Sequence, residues 1–481
     1  MTTEAPPEVR VRIAPSPTGY FHVGTARTAL YNWCVARRSK GAFILRIEDT
    51  DRERHQEEQY QGILDALEWL GIPWDEGPYR QSERGAVYDA TVDLLFEAGA
   101  LYACDCTREM VEERTKGNAT PGYDGWCRNR GLERGHGRAL RFRVPDDGVT
   151  VVHDAVRGDV EFANSTIEDF VVVRSNGHPL FVLAVVADDR DMRISHVIRA
   201  EEHLPTTPKA VLIWEALNRA APAAARPLPV FAHLPVLVNA KRQKISKRRD
   251  RVALEDFRAQ GYLPEAMANY LALLGWSFPD GRELFTREEL VEAFRLEDVN
   301  HSPAFFDEQK MLHFNGVYIR ALSAGDFTER CRRWAGETGA LPLSLFETQE
   351  WSLLAPLAQE RVALLSELPG YVAFLADDFS VEEESWARAV EGDAESAAIL
   401  AEFRERAKRL ERFGSEGLRE ALEAVAEAHG RRLGKTQAPV RVATLGRTVG
   451  LPLFESLAVL GQERVLDRLD AALGRIGDPA C

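Results

Sequence analysis

Cysteine is scarce in this 481-residue chain, with six in all, too few for a protein of this size to be held by a disulfide framework. Cys104, Cys106 and Cys127 stand close in sequence while Cys34, Cys331 and Cys481 are scattered. A reducing, intracellular compartment fits that usage best. Long apolar runs are missing as well. No stretch approaches the ~20 residues a membrane-spanning helix needs. The opening MTTEAPPEVR carries two glutamates and no apolar segment, which argues against a leader peptide. A cytoplasmic location is expected. Nor is there an excess of positive charge: 60 Lys and Arg against 75 Asp and Glu leave −15. Nucleic-acid binding would therefore belong to a local patch and not to the whole surface. What is present is the make-up of a globular protein, 45% hydrophobic and 28% charged, which excludes disorder, collagen and a pure coiled coil. At ~100–200 residues per domain the chain holds several domains.

Val9 to Ile13 reads as a strand, and a turn-rich stretch leads to a helix from about Gly24 to Arg38, where Ala26, Ala29, Leu30, Trp33 and Cys34 recur at helical spacing. Ala42 to Ile47 is the next strand, stopped by the acidic turn Glu48-Asp49-Thr50-Asp51. Gln56 to Leu70 predicts a helix with Leu64, Leu67 and Leu70 on one face. This alternation is the rhythm of a parallel α/β domain. From about Leu101 to Leu140 the sequence turns polar and Gly-rich around the cysteine group, and strand-like runs resume at Ala139–Val144, Thr150–Val152 and Asp169–Val173. Phe181–Ala187 is apolar throughout and ends in Asp188-Asp189, which predicts a buried strand feeding a site. The middle third thus reads as an insertion in an α/β domain. After Asp250 the chain is largely helical, with a boundary near 325, and the acidic cluster from Asp377 to Glu395 reads as a solvated helical face.

Two groups of residues carry the chemistry. The first runs from Pro15 to Thr25 and ends in His22-Val23-Gly24-Thr25 at the mouth of the first helix. There a glycine admits a ligand close to the backbone, first-turn N–H groups present positive ends to a phosphate, and an imidazole donates to a phosphoryl oxygen. A capping turn with a structural histidine explains the same residues. The second is Lys244-Ile245-Ser246-Lys247-Arg248, in a basic run from Lys241 to Asp250 whose one apolar residue is Ile245. Lysines there suit an anion whose geometry changes during reaction, although a basic surface loop has the same pattern.

Together these groups resemble the paired "HIGH" and "KMSKS" signatures of class I aminoacyl-tRNA synthetases, and most closely those of the bacterial-type glutamyl-tRNA synthetase family. The family's opening motif runs from Arg12 through Asn32, and its LRIEDTD stands intact at Leu45–Asp51. Its HVIRGEDH segment is His196 to His203, followed by Thr207-Pro208, and its KLSKR loop is Lys244–Arg248. Phe306–Ile319 and the run from Gly434 match two further segments, so the resemblance covers nearly the whole chain.

The resemblance implies a Rossmann-like α/β catalytic domain in halves at 1–100 and 188–250, with an acceptor-stem-binding subdomain inserted at 101–187. A helical stem-contact region at 251–325 and an all-helical anticodon-binding domain at 326–481 would follow. It implies ATP-dependent transfer of L-glutamate to the 3′-terminal adenosine of tRNA(Glu) through a glutamyl adenylate, with Mg²⁺, and a monomer. Arg12 would pair with the substrate's side-chain carboxylate, Ser16 and Glu48 would hold its main-chain groups, and Phe181 and Arg199 would complete the pocket. Phe181 stands where the family has tyrosine, so one hydroxyl donor is lost. His22, Lys244 and Lys247 take the catalytic roles, and Gly24, Thr25, Lys244, Ser246 and Lys247 the ATP contacts. Thr25 replaces the second histidine of the first signature, which is usual in the glutamate branch.

Cys104, Cys106 and Cys127 match the family's zinc cysteines, with Tyr123 as fourth ligand; Asn129 stands where other relatives place a histidine. One Zn²⁺ per chain is the expectation, and three reduced thiols in a relic of the site are the alternative. Arg431, Arg432, Lys435, Arg441 and Arg447 gather positive charge at the far end of the chain, as a tRNA-binding surface would. A glutaminyl enzyme would carry β-barrels in place of the helical C-terminal half. A paralogue that glutamylates a tRNA base would lack that half, and a binding protein with a dead site would not keep Arg12, His22, Glu48, Arg199, Lys244 and Lys247 together.

Overall fold

The structure, a computed structural model, describes residues 8–50, 56–117, 122–245, 252–376 and 378–477. The chain divides into two compact units, one of residues 1–256 with 264–308, the other of 257–263 with 309–481.

The first unit is built on a mixed sheet. Strands β1 (Arg10–Ile13), β2 (Ala42–Ile47) and β3 (Glu76–Arg80) run parallel in the order 1-2-3. After the insertion come β9 (His196–Ala200) and β10 (Val230–Leu234), also parallel. The Ser195 N–H donates to the Arg10 carbonyl at 2.9 Å, which sets β9 beside β1. The lateral order 3-2-1-9-10 is that of a Rossmann-like fold, whose ligand crevice lies where the winding reverses, between β1 and β9. Beyond β10 lie β6 (Val149–Asp154) and its antiparallel partner β7 (Gly158–Ala163). A separate antiparallel sheet of β4 (Leu101–Cys104), β5 (Ala139–Phe142) and β8 (Val171–Val173) carries the cysteine segment. The short β11 (Leu237–Val238) and β12 (Ala304–Phe305) pair with each other.

Helix α1 (Val23–Ser39) crosses from β1 to β2 and buries Ala26, Ala29, Leu30, Trp33 and Cys34. It ends at Lys40 in the left-handed conformation, and Gly41 follows where a Cβ would lie 1.9 Å from the Val9 carbonyl oxygen. Only glycine fits there, so the turn that starts β2 tolerates no side chain. Helix α2 (Glu57–Trp69) buries Ile63 and Leu67, so its inward face is centred on that i, i+4 pair while Leu64 is half exposed.

The apolar run at Phe181 is where the expectation fails. It forms a helix, not a strand: α5, Phe181–Asp191. Seven apolar residues in a row carry neither period, so helix and strand read alike. Every residue from Leu183 to Asp189 is buried, because helices α3 (Gly85–Glu97) and α6 (Thr207–Ala220) cover it and leave no polar face to mark the turns (α4 is Arg108–Arg114).

In the second unit the described residues form helices and no strand. Trp351 is sealed between Phe327 and Phe346 at ring distances of 6.1 and 4.9 Å. Farther along, Leu400, Phe403, Leu422, Val425, Val440, Leu457 and Leu469 are fully buried. The acidic cluster after Asp377 (itself outside the described residues) is not purely a solvated face: Glu382 accepts Arg447, and Asp393 and Glu395 accept Arg431. No helix among the described residues is long and apolar enough to cross a membrane.

Candidate active site

The carboxyl ends of β1, β2 and β9 and the start of α1 surround one cavity of about 510 Å³. Arg12, Ser16, His22, Gly24, Thr25, Glu48, Phe181, Arg199 and Lys244 all line it. Residues expected from five separate stretches of sequence are thereby brought together. Ser246 and Lys247 lie outside the described residues.

His22 caps α1. Its Nδ1 accepts from the Gly24 N–H at 3.1 Å and the Thr25 N–H at 3.4 Å, which leaves the proton on Nε2, 3.2 Å from the Thr25 hydroxyl. The Val23 N–H is taken by the Val252 carbonyl and the Ala26 N–H by the His22 carbonyl. The first-turn amides are therefore satisfied within the protein, contrary to the expected bare phosphate cradle. The positive end of the helix instead polarises an imidazole whose Nε2–H is a donor. Gly24 makes this possible: a Cβ there would stand 3.0 Å from the imidazole Cε1. The capping and chemical explanations of His22 are one arrangement, not rivals.

Arg12 is almost fully buried, and Asp189 on α5 takes its Nε at 3.1 Å and Nη2 at 3.3 Å. Asp189 also accepts Arg46 Nη1 at 2.6 Å, and Asp188 accepts Gln81, Arg84 and Tyr88. Burial alone would raise the Asp189 carboxyl, but Arg12 and Arg46 together hold it below the ordinary carboxylate range. Asp189 anchors the Arg12 guanidinium, which faces the cavity, and Asp188 ties the same turn of α5 to its neighbours. The sequence signal of this acid pair was an acidic doublet closing an apolar run, and its partners were not legible. Burial pushes the Glu48 carboxyl up, against the pull of Arg46 and Arg12. An ammonium arriving beside Glu48 would restore the charge that its burial disfavours.

Phe181 is 39% exposed and stacks on His203 at 5.7 Å. Burial next to Arg199 lowers His203 to about 4, so it is neutral at physiological pH. Arg199 donates from Nη2 to the Thr207 hydroxyl at 2.9 Å, and burial lowers its pKa to about 10, leaving it charged. Lys244, at the end of a turn, pairs with Glu202, the residue before His203. That turn is closed by the Val238–Lys244 bridge and by the Ile245 N–H on the Leu237 carbonyl at 3.0 Å.

In the inserted sheet the sulfurs of Cys104, Cys106 and Cys127 lie within 4.8 Å of one another. Cys106 and Cys127 sulfurs are 3.4 Å apart, and the Tyr123 hydroxyl is 3.7 Å from Cys104 Sγ. Three converging thiols with a phenol oxygen fit the soft, tetrahedral preference of Zn²⁺. Arg141, Arg114 and Arg130 each donate to one sulfur, at 3.3, 3.3 and 3.4 Å. Asn129 accepts from Arg143 and is turned to other work. Asp105, 3.2 Å from Cys127 Sγ, is a second oxygen at the cluster that sequence reasoning missed.

The five basic residues of the second unit do not form one free patch. Arg431 is held by Asp393 and Glu395, Arg447 by Glu382 and the Gly370 carbonyl, and Arg441 by the Leu451 carbonyl. Arg432 and Lys435 are exposed.

Comparison with known proteins agrees with this geometry. Residues 8–313 match the family described as tRNA synthetases class I (E and Q), catalytic domain, and residues 326–473 match the anticodon binding domain family. The glutamate–tRNA ligase of Thermobifida fusca is 55% identical over 478 residues, 97% of this chain and 98% of that protein. That of Streptomyces coelicolor is 43% identical over 490 residues, 97% and 98% of the two. A solved glutamate tRNA ligase from Elizabethkingia meningosepticum, in complex with its amino acid, gives a TM-score of 0.81 at 29% identity and covers 97% of this chain and 99% of that one. The chain belongs to the class I tRNA synthetase family of the glutamate and glutamine type.

Proposed function

We propose that the chain joins L-glutamate to the 3′-terminal adenosine of tRNA(Glu) at the expense of ATP. The observation that carries this reading is the single cavity holding two guanidiniums, a buried carboxylate, a helix-capping histidine and a lysine-bearing turn. Arg12 and Arg199 form a fixed cationic end for a side-chain carboxylate, which an amide analogue leaves unpaired. Glu48 and Ser16 receive the ammonium and main-chain groups. ATP, entering as its Mg²⁺ salt, places its phosphates toward His22 Nε2–H, Lys244, Ser246 and Lys247, with Gly24 and Thr25 beneath. The glutamate α-carboxylate oxygen attacks the α-phosphorus, the bond to the bridging oxygen breaks, and pyrophosphate leaves with that electron pair. His22 and the lysines act on the charge that grows on the phosphoryl oxygens. The terminal ribose hydroxyl then attacks the acyl carbon, and AMP leaves. The helical second unit favours glutamate over a glutaminyl enzyme, and Arg432 and Lys435 remain its candidate phosphate contacts. Charging of tRNA(Glu) with labelled glutamate tests the reading.

Because Phe181 already places its ring against His203, Phe181→Tyr should leave the glutamate KM unchanged or lower it. A steep rise in KM would mean that the pocket serves another substrate.

Zn²⁺ would be held by Cys104, Cys106, Cys127 and Tyr123, and would tie β4 to the loop at 122–130. Its role would be structural, since the three thiols converge on one another and lie outside the cavity. Metal analysis of purified protein should find close to one zinc per chain. Removing it should speed amide exchange in residues 101–117 and 122–130 first and spare the mixed sheet, because a structural metal's binding energy is folding energy for its own segment. Zinc-free protein with unchanged exchange and full charging activity would reduce the cysteines to a relic.

A further inference from the structure

Three neighbouring strands of the mixed sheet carry a line of side chains that ends in the cavity. On β6, Asp154 is 5% exposed; on β10, His233 is fully buried; on β9, Arg199 stands directly opposite His233 in register. His233 Nδ1 lies 2.5 Å from Asp154 Oδ2, and Arg199 Nε points at His233 Nε2 from 3.3 Å. The Thr207 hydroxyl bridges the two, 2.9 Å from His233 Nε2 and 2.9 Å from Arg199 Nη2.

Proton bookkeeping fixes the state of this line. Asp154 accepts the backbone N–H groups of Val156, Arg157 and His233, so its carboxylate acts only as an acceptor. His233 must then carry its proton on Nδ1, which leaves Nε2 with a lone pair. Arg199 has donors only, so its Nε–H needs that lone pair, while the Thr207 hydroxyl can give its own proton to the His203 carbonyl at 3.0 Å. A second proton on His233 would make Nε2 a donor that the Thr207 oxygen can accept, and Arg199 Nε–H would lose its acceptor.

From this geometry we propose that His233, oriented by Asp154, is a positioning residue that aims Arg199 into the cavity, and does so only as the neutral imidazole. The inference rests on the glutamate-pocket role of Arg199 proposed above.

The groups around His233 favour that state. Asp154 and Arg157 lie on the β6 side, Arg157 being paired with Glu201. Arg199 and His203 lie toward the cavity, where His203 is neutral at physiological pH. Burial lowers His233 below its ordinary range, and Asp154 opposes this in part. Near neutrality the line is therefore intact. As pH falls through the His233 pKa, Arg199 is lost as a ligand and glutamate binding weakens, while ATP binding and the chemical step are not addressed by it.

A side-chain amide offers a donor and an acceptor spaced much like Nδ1–H and Nε2, without the titration. The test is the glutamate KM and kcat for charging tRNA(Glu) between about pH 5 and pH 8 in wild type, His233→Gln, His233→Phe and Arg199→Ala. Wild-type glutamate KM should rise ~10-fold per pH unit on the acid side with kcat and the ATP KM nearly level. His233→Gln should keep a KM within ~3-fold of the neutral wild-type value and show a shallower acid rise than wild type, the remainder belonging to Glu48. His233→Phe should raise KM at least ~10-fold at every pH. If His233→Phe does not fold, the wild-type and Gln profiles decide alone. A Gln profile that rises with acid as steeply as the wild-type one overturns the inference when Arg199→Ala still raises KM. An unchanged KM in Arg199→Ala overturns the pocket assignment, and this inference with it.

Discussion

Lys247→Ala should lower adenylate formation at least ~100-fold and leave tRNA binding within ~3-fold. Lys247 lies two residues beyond the described end of a turn whose course is well defined. Lys244 is tied to Glu202 and bridged to Val238, and Ile245 is bonded back to Leu237. Lys244 and Ile245, which precede Lys247 in the chain, line the cavity. A cation there meets more charge in the transition state than in bound ATP, so its loss falls on kcat, and removal of one such donor costs ~3 kcal/mol. Pyrophosphate exchange in the presence of tRNA(Glu) measures it, and filter binding of the tRNA gives the control. Unchanged exchange would place the reacting phosphates elsewhere.

Arg12→Leu should raise the glutamate KM at least ~100-fold while the ATP KM stays near wild type. Two losses combine in it. The substrate carboxylate loses a planar, charge-assisted partner, and Asp189 loses one of its two guanidiniums. Breaking a buried pair of this kind costs ~3 kcal/mol or more when the remaining charge is unpaired. Arg46 still holds Asp189, so the fold should survive with a lowered melting temperature. Arg12→Lys separates the two effects: it keeps a cation near Asp189 but not the fork, so melting should recover more than KM does. Equal recovery of both would mean that Arg12 serves only the fold.

The residues that line the cavity were legible because each stands in a short run whose chemistry reads locally: the glycine after His22, the acid after β2, the lysines beyond β11. What positions them was not. Asp154, Thr207 and His233 are separated by dozens of residues, and only the order of strands 6, 10 and 9, with the start of α6 against them, makes them neighbours. The helix at Phe181 was misread for a related reason. An element covered on every side shows no polar stripe, so its period is invisible until its neighbours are placed. The basic residues near the C-terminus looked like a patch because charge can be counted from sequence while pairing cannot. Arg431, Arg441 and Arg447 each find a partner that is distant in the chain or set by the fold. The cysteine cluster was legible as a site, but Asp105 and the three arginines around its sulfurs were not.

The most direct test of the central claim is aminoacylation of purified tRNA(Glu) by the purified chain with ATP and Mg²⁺, with labelled glutamate and labelled glutamine in parallel. The account predicts ATP-dependent attachment of glutamate to the terminal adenosine, abolished by Lys247→Ala, with glutamine at least ~100-fold poorer because an amide leaves Arg12 and Arg199 unpaired. Preferential attachment of glutamine, or tRNA binding with no attachment of either amino acid, would contradict it.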